Sequence, residues 1–211
     1  MTAVTGVTGQ RWTRERRVEQ TRTLLLDAAE AMFARKGFGG AALEDIADAA
    51  GYTRGAIYAH FGSKEEMFLA VNQRYRQRIL DGFTDLLASF TNLADLDLGQ
   101  IAQRWREQVT DGNTNVDQAA LGYEFTLFLI RNPSAQDRVA AQRAETIESV
   151  ARSITERVEQ LGGTFVVPAT TLARMVVATT DGVVLGTYLD GVDLYQPFLE
   201  MFISGITGSI T

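Results

Sequence analysis

The 211-residue chain has no cysteine, one histidine and three prolines. Without cysteine there is no disulfide framework, no thiol nucleophile and no thiolate metal site. The single imidazole, His60, excludes a multi-histidine metal centre within one chain and is all that a Ser-His-Asp triad could use. No Glu-x-x-His pair of the kind that builds dimetal helical enzymes is present. Neither catalysis, nor a metal, nor a cofactor is therefore expected. Long apolar runs are missing too. Leu24–Leu26 and Phe125–Ile130 are far short of a membrane span, and the opening MTAVTGVTGQ lacks the apolar segment of a signal peptide. The reading is a cytoplasmic protein with no membrane partner. Its 45% hydrophobic and 22% charged residues are near the average for globular chains.

Positive charge is also short overall, with a formal net charge of −6. Taken alone, that argues against nucleic acid. The deficit is uneven, however. Residues 1–80 carry 12 Lys and Arg against 9 Asp and Glu, whereas residues 81–211 carry 8 against 17. Arg11, Arg14, Arg16, Arg17 and Arg22 are interrupted only by Glu15 and Glu19. A basic head on an acidic body points to a polyanion site at one end. A solvated helix start explains the same charges equally well.

What is abundant is helical periodicity, with Gly and Pro between the periodic runs. The first helix is expected over Arg14–Lys36, with Val18, Leu25, Ala29, Met32 and Phe33 inward and Gly37 as its stop. Leu43–Ala50 and Arg54–Phe61 are two short helices joined through Gly51, with Thr53 as N-cap of the second. That is a helix-turn-helix pattern. Ser63 and Glu66 form a capping box ahead of a long helix striped by Phe68, Val71, Tyr75, Ile79 and Phe83. Further helices are expected over Leu98–Thr110, Val116–Arg131, Pro133–Leu161 (with Asn132 as N-cap), Pro168–Asp190 and Leu194–Ile206. Asp111–Asn115 reads as a loop. The fold class is all-α: a three-helix head and a six-helix body, nine helices in total. The expected division is an arm over 1–13, a helix-turn-helix domain over 14–66 and a ligand-binding and dimerisation domain over 67–211.

The head resembles a known family. Leu25-Leu26-Asp27-Ala28-Ala29-Glu30-Ala31-Met32-Phe33, Leu43-Glu44-Asp45-Ile46-Ala47-Asp48-Ala49-Ala50-Gly51 and Thr53-Arg54-Gly55-Ala56-Ile57-Tyr58-Ala59-His60-Phe61 together look like the DNA-binding domain of TetR-type transcriptional regulators. The resemblance covers about 45 residues densely. It implies a ligand-responsive regulator, most simply a repressor, that binds an inverted-repeat DNA operator as a homodimer and is released by a small-molecule effector. A ligand-binding or adaptor protein that has lost DNA binding is the alternative.

The resemblance also assigns a DNA face. Arg54 is placed for a guanine edge, or for phosphate only. Thr53 can cap its helix or give its hydroxyl to a phosphate. Gly55 lets the backbone come close, and Tyr58 and His60 lie on the outer side, although His60 could equally pack. Lys64 can clamp a phosphate at a helix start. Arg17 and Arg22 can reach the DNA backbone or minor groove. Ala42 departs from the family pattern: a hydroxyl residue often stands there, and its loss removes a side-chain cap worth about 1 kcal/mol.

In the body, the family likeness implies an effector pocket. Phe83, Phe90, Arg104, Trp105, Tyr123, Glu124, Phe128, Met175, Thr179 and Tyr188 are the candidates, with plain core the simpler reading for any one of the aromatics. Glu124 and Asp181, which lie in apolar helices, could select a cationic ligand, but a structural hydrogen bond is the simpler expectation. The last two helices are apolar on more than one face, which suits burial against a second copy.

Overall fold

The structure is a computed structural model, and it describes residues 13–91, 97–110 and 116–204. The expected arm before residue 13, the Asp111–Asn115 loop and Ile206 lie outside these residues. Among the described residues there are nine helices and no strand. They are α1 (Arg14–Gly40), α2 (Leu43–Ala50), α3 (Arg54–Phe61), α4 (Lys64–Ala88), α5 (Leu98–Thr110), α6 (Val116–Arg131), α7 (Pro133–Gln160), α8 (Ala169–Asp190) and α9 (Tyr195–Ser204). None is long and apolar enough to cross a membrane.

Breaks fall where backbone chemistry requires them. Gly37 adopts φ 67° and ψ 173°, which interrupts α1 at the expected stop, although a last helical turn continues to Gly40. Gly51 takes the left-handed conformation after α2, and its N–H closes the turn onto Ala47 and Asp48. Ser63 accepts from the Glu66 N–H at 3.1 Å, but only half of the capping box forms. The Glu66 carboxylate turns instead to Arg138 on α7. Asn132 likewise makes no cap; its amide donates back to the Phe128 carbonyl at 2.8 Å.

Two apolar clusters hold the chain together, and their boundary differs from the expected one. The first gathers the inner faces of α1, α2 and α3 with Met67, Phe68 and Val71 of α4, and it extends to Leu121, Phe125 and Phe128 of α6 and Ala135 of α7. Phe68 lies at its centre, with ring centroids 4.9 Å from Phe33, 5.0 Å from Phe38 and 5.3 Å from Phe128. The start of α4 and part of α6 therefore belong to the head's core, and a division at residue 66 cuts through it. The second cluster joins the C-terminal half of α4 to α5, α7, α8 and α9, with Phe83 edge-on to Trp105 at 5.3 Å. The helix α4 is common to both.

Val18 is a correction. It is exposed, because the first two turns of α1 project past the core and meet no other element. Burial on α1 begins at Leu25. From there α1 is tied to α4 by ions as well as by packing. Arg74 reaches both Asp27 (2.6 Å) and Glu30 (2.5 Å), and Arg78 also pairs with Glu30. Burial works against the Glu30 carboxylate, but the Arg78 and Arg74 guanidiniums outweigh it and hold the group below the ordinary range. A depressed carboxylate pKa stabilises the fold above the unfolded-state value of about 4.5, and that stability is lost as pH falls through the native value. Acid titration of unfolding free energy should thus drop more steeply below pH 4.5 for the wild type than for Glu30→Gln. At neutral pH the variant should be about 1 kcal/mol less stable. Identical acid limbs would show that the network contributes nothing.

Candidate functional site

The head presents α3 to solvent. Thr53, Arg54, Gly55 and Tyr58 are all exposed, while Ile57 and Phe61 on the opposite side are buried. The two sides follow from helical spacing: residues 57 and 61 lock α3 into the apolar cluster against α2 and α4, which turns 54, 55 and 58 outward. Thr53 occupies the N-cap position with extended φ and ψ, yet its hydroxyl makes no capping hydrogen bond and is available to an outside acceptor. Arg54 is held in place before any ligand arrives. Its Nη1 donates to Glu44 of α2 at 2.6 Å and its Nη2 to the Tyr58 hydroxyl at 2.9 Å. These contacts raise its pKa further, the Tyr58 hydrogen bond foremost and the Glu44 charge next. Glu44 had no place in the sequence reading; its i, i+10 distance from Arg54 crosses the turn and lies outside any helical rule.

Other expected contact residues are distributed differently. Arg17 is exposed on the projecting start of α1. Arg22 is half-buried and makes contacts within the head. Its guanidinium lies 4.5 Å from the Phe61 ring centroid, and Nη1 donates to the His60 carbonyl at 3.3 Å, which ties α1 to the end of α3. Nearby, the Thr21 hydroxyl donates to the Tyr52 hydroxyl at 3.2 Å and fixes the turn. His60 is half-buried and borders a cleft between head and body. Lys64 opens α4 with its ammonium 4.8 Å from the Phe38 ring, and partial burial lowers its pKa. Ala42 stands at the N-cap of α2 without a side-chain hydrogen bond, as its lack of a hydroxyl requires.

The effector-pocket candidates mostly turn out to be something else. Phe90 and Trp105 are buried in the body core, and Phe128 packs in the head cluster against Phe38 and Phe68. Arg104, Tyr123 and Tyr188 are exposed. Thr179 donates its hydroxyl to the Met175 carbonyl on its own helix. Met175 lines a shallow apolar hollow between α8 and α9 together with Met201 and Phe198. Glu124 makes the structural bond expected of it. Its Oε2 accepts from the Phe38 N–H at 3.1 Å, just past the break at Gly37. A Cβ at Gly37 would stand 2.9 Å from Glu124 Oε1, so glycine is required for space as well as for φ.

A cleft of about 360 Å³ lies between the end of α3, the middle of α4, α6 and α7. Its lining includes Asn72 and Arg76 of α4 and Arg143 of α7, with Phe125 as one apolar wall. A narrow apolar annex of about 30 Å³ adjoins it, sharing Arg76, Leu80 and Thr146 and bounded by Phe83, Val176 and Asp181. Of the sequence candidates, only Phe83 reaches it. Asp181 accepts from the Tyr75 hydroxyl at 2.7 Å. Burial holds the Asp181 carboxyl above its usual range and pushes the Tyr75 phenol up. Gly122 makes room for this pair, since a Cβ there would lie 2.5 Å from Asp181 Oδ2.

Comparison with known proteins agrees with this architecture. Residues 25–71 match the family described as bacterial regulatory proteins, tetR family. The transcriptional activator FasR of Mycolicibacterium smegmatis is 36% identical over 74 residues, 35% of this chain and 34% of that protein. The transcriptional repressor KstR2 of Mycobacterium tuberculosis is 40% identical over 79 residues, 37% of this chain and 36% of that protein. Both alignments thus span about a third of the relatives' lengths. In overall fold the chain is similar to a TetR-family transcriptional regulator structure from Rhodococcus sp., with TM-score 0.70 at 16% identity, over 90% of this chain and 100% of that one. Residues 25–71, which carry the outward-facing α3, are thus similar to the tetR family of bacterial regulatory proteins, and the order of the nine helices among the described residues matches the fold of that structure.

Proposed function

We propose that the chain is a ligand-responsive transcriptional repressor that binds an inverted-repeat DNA operator as a homodimer and is released by a small organic effector held in its body. The observation that carries this is α3, where Thr53, Arg54 and Tyr58 face solvent on a short helix locked by Ile57 and Phe61. Such a helix fits a DNA major groove, and Arg54 has the fork geometry that reads guanine. The surrounding charge helps: an acidic body repels DNA and leaves the basic head as the favourable contact.

Dimerisation is supported by the exposed apolar side chains of the last two helices. Met175, Tyr188, Leu189 and Met201 are each at least 42% exposed on α8 and α9. A face of that kind is suited to a second copy of itself. A dimer would carry two α3 helices about one DNA turn, roughly 34–36 Å, apart. The helix α4 links head to body, bearing Phe68 in the head core and Asn72 and Arg76 on the cleft. An effector that binds the cleft better in the DNA-free arrangement shifts α4 and lowers DNA affinity by the same factor.

Repression is supported by the likeness to KstR2, a repressor, over 79 residues. Activation is the second reading, favoured by the comparable likeness to FasR, an activator. Transcription from the bound promoter with and without the protein separates the two. For the reading as a whole, the test is a gel mobility shift with DNA upstream of the protein's own coding sequence. Binding should weaken steeply as salt rises and should be competed by an inverted repeat but not by random DNA. A protein that shifts no DNA at low salt would instead be a ligand-binding or adaptor protein of this fold.

A further inference from the structure

The cleft carries more positive charge than its surroundings balance. Arg22 is engaged by Phe61 and the His60 carbonyl, and Arg138 by Glu66. Arg76 and Arg143 remain. Arg76 donates its Nε to Asn72 Oδ1 at 2.9 Å and lies 5.5 Å from the Phe125 ring centroid, but its two Nη groups have no acceptor among the described residues. Arg143 forms no ion pair among the described residues. Asn72 is only 3% exposed, and its Nδ2 has no hydrogen-bond partner. The amide cannot simply be turned round, because Arg76 Nε needs the oxygen where it is. A buried donor without an acceptor is costly, and a guanidinium taken from water with its fork empty costs more. Burial lowers the Arg76 pKa and nearby Arg143 adds to this, while Asp181 opposes it.

We propose that this cleft takes an amphiphilic organic oxyanion, a carboxylate or a phosphate monoester, whose oxygens are held by Arg76, Arg143 and Asn72 and whose apolar part lies along Phe125 and the Phe83–Val176 annex. An Arg fork matches two oxygens of such a group, and the orphaned Asn72 amide supplies one more donor. Asp181 lies farther in, with its carboxylate on Tyr75. The annex offers an oxyanion no guanidinium beyond Arg76, so the oxyanion stays at the mouth. Carboxylate and phosphate share this chemistry; a cation or a neutral alcohol of the same shape lacks it. This inference rests on the effector-binding reading above and names the chemical class of effector for that site.

The test is titration of the full-length protein, in the absence of DNA, with octanoate, octyl phosphate, octanol and octylammonium, read by calorimetry. At least one of the two anions should bind at least tenfold more tightly than octanol and octylammonium, and the better of the two identifies the head group. Arg143→Met is the fold-safe variant, since Arg143 is exposed and unpaired among the described residues, and it should weaken the anion about tenfold. Arg76→Met should weaken it at least as much. Binding of both anions no tighter than that of octanol, no binding of either anion at millimolar concentration, or unchanged affinity for the better anion in Arg143→Met would each overturn the proposal. Because DNA is absent, the outcome is independent of induction. An anion that binds but leaves the operator complex intact would contradict the effector reading and leave the site standing.

Discussion

Phe68→Ala should destabilise the whole molecule by about 3–5 kcal/mol, the range for truncating a fully buried phenylalanine. Phe68 has no exposed surface and touches rings from both sides of the molecule: Phe33 and Phe38 of α1, and Phe125 and Phe128 of α6. Removing it leaves a cavity that four rigid aromatics cannot close. For a chain of this length, the thermal midpoint should fall by roughly 10 °C. The single-cluster packing of α1, α4 and α6 carries a second consequence. Circular dichroism of the helices and fluorescence of body Trp105, in a Trp12→Phe background, should report one coincident transition. A loss below about 1.5 kcal/mol, or a head that melts separately from the body, would contradict this account of the core.

Arg54→Ala should leave stability almost unchanged and remove sequence discrimination. Its pairing with Glu44 is exposed, and such pairs contribute little to folding. At a guanine, by contrast, the bidentate fork supplies roughly ten- to hundredfold discrimination per half-site. Arg54→Lys should not restore it, since an ammonium cannot make two parallel hydrogen bonds. Lys64→Ala is the contrasting case: it should weaken all sequences alike and reduce the salt slope by about one. Binding assays on specific and scrambled operators distinguish the two behaviours. If Arg54→Ala weakened both sequences equally, Arg54 would be a phosphate contact.

The head was legible in the sequence because its boundaries are set by local chemistry. Gly37, Gly51, Thr53 and Ser63 mark ends that neighbouring residues determine, and α2 and α3 begin and end where periodicity and caps put them. Val18 was misplaced because helical periodicity continues past the point where a partner helix stops. The cleft was illegible for a different reason. Aromatic residues in the body were natural pocket candidates, but burial of large apolar area is the dominant driving force, and the structure spends Phe90, Trp105 and Phe128 on core. The cavity is lined instead by polar side chains that pattern reading assigns to the outer face. One signal was available. Asn72 and Arg76 each follow a stripe residue of α4 by one position, four residues apart, forming a polar edge beside Val71 and Tyr75. Glu44, reaching Arg54 across a turn, gave no such signal.

The central claim is that two copies of α3, each led by Arg54, read DNA from one face. Guanine methylation interference on an operator selected by the protein tests it most directly. The account predicts two interfering guanine patches, symmetric about a dyad and about 10 base pairs apart, with both lost in Arg54→Ala. A single asymmetric patch, or an interference pattern unchanged in Arg54→Ala, would contradict it.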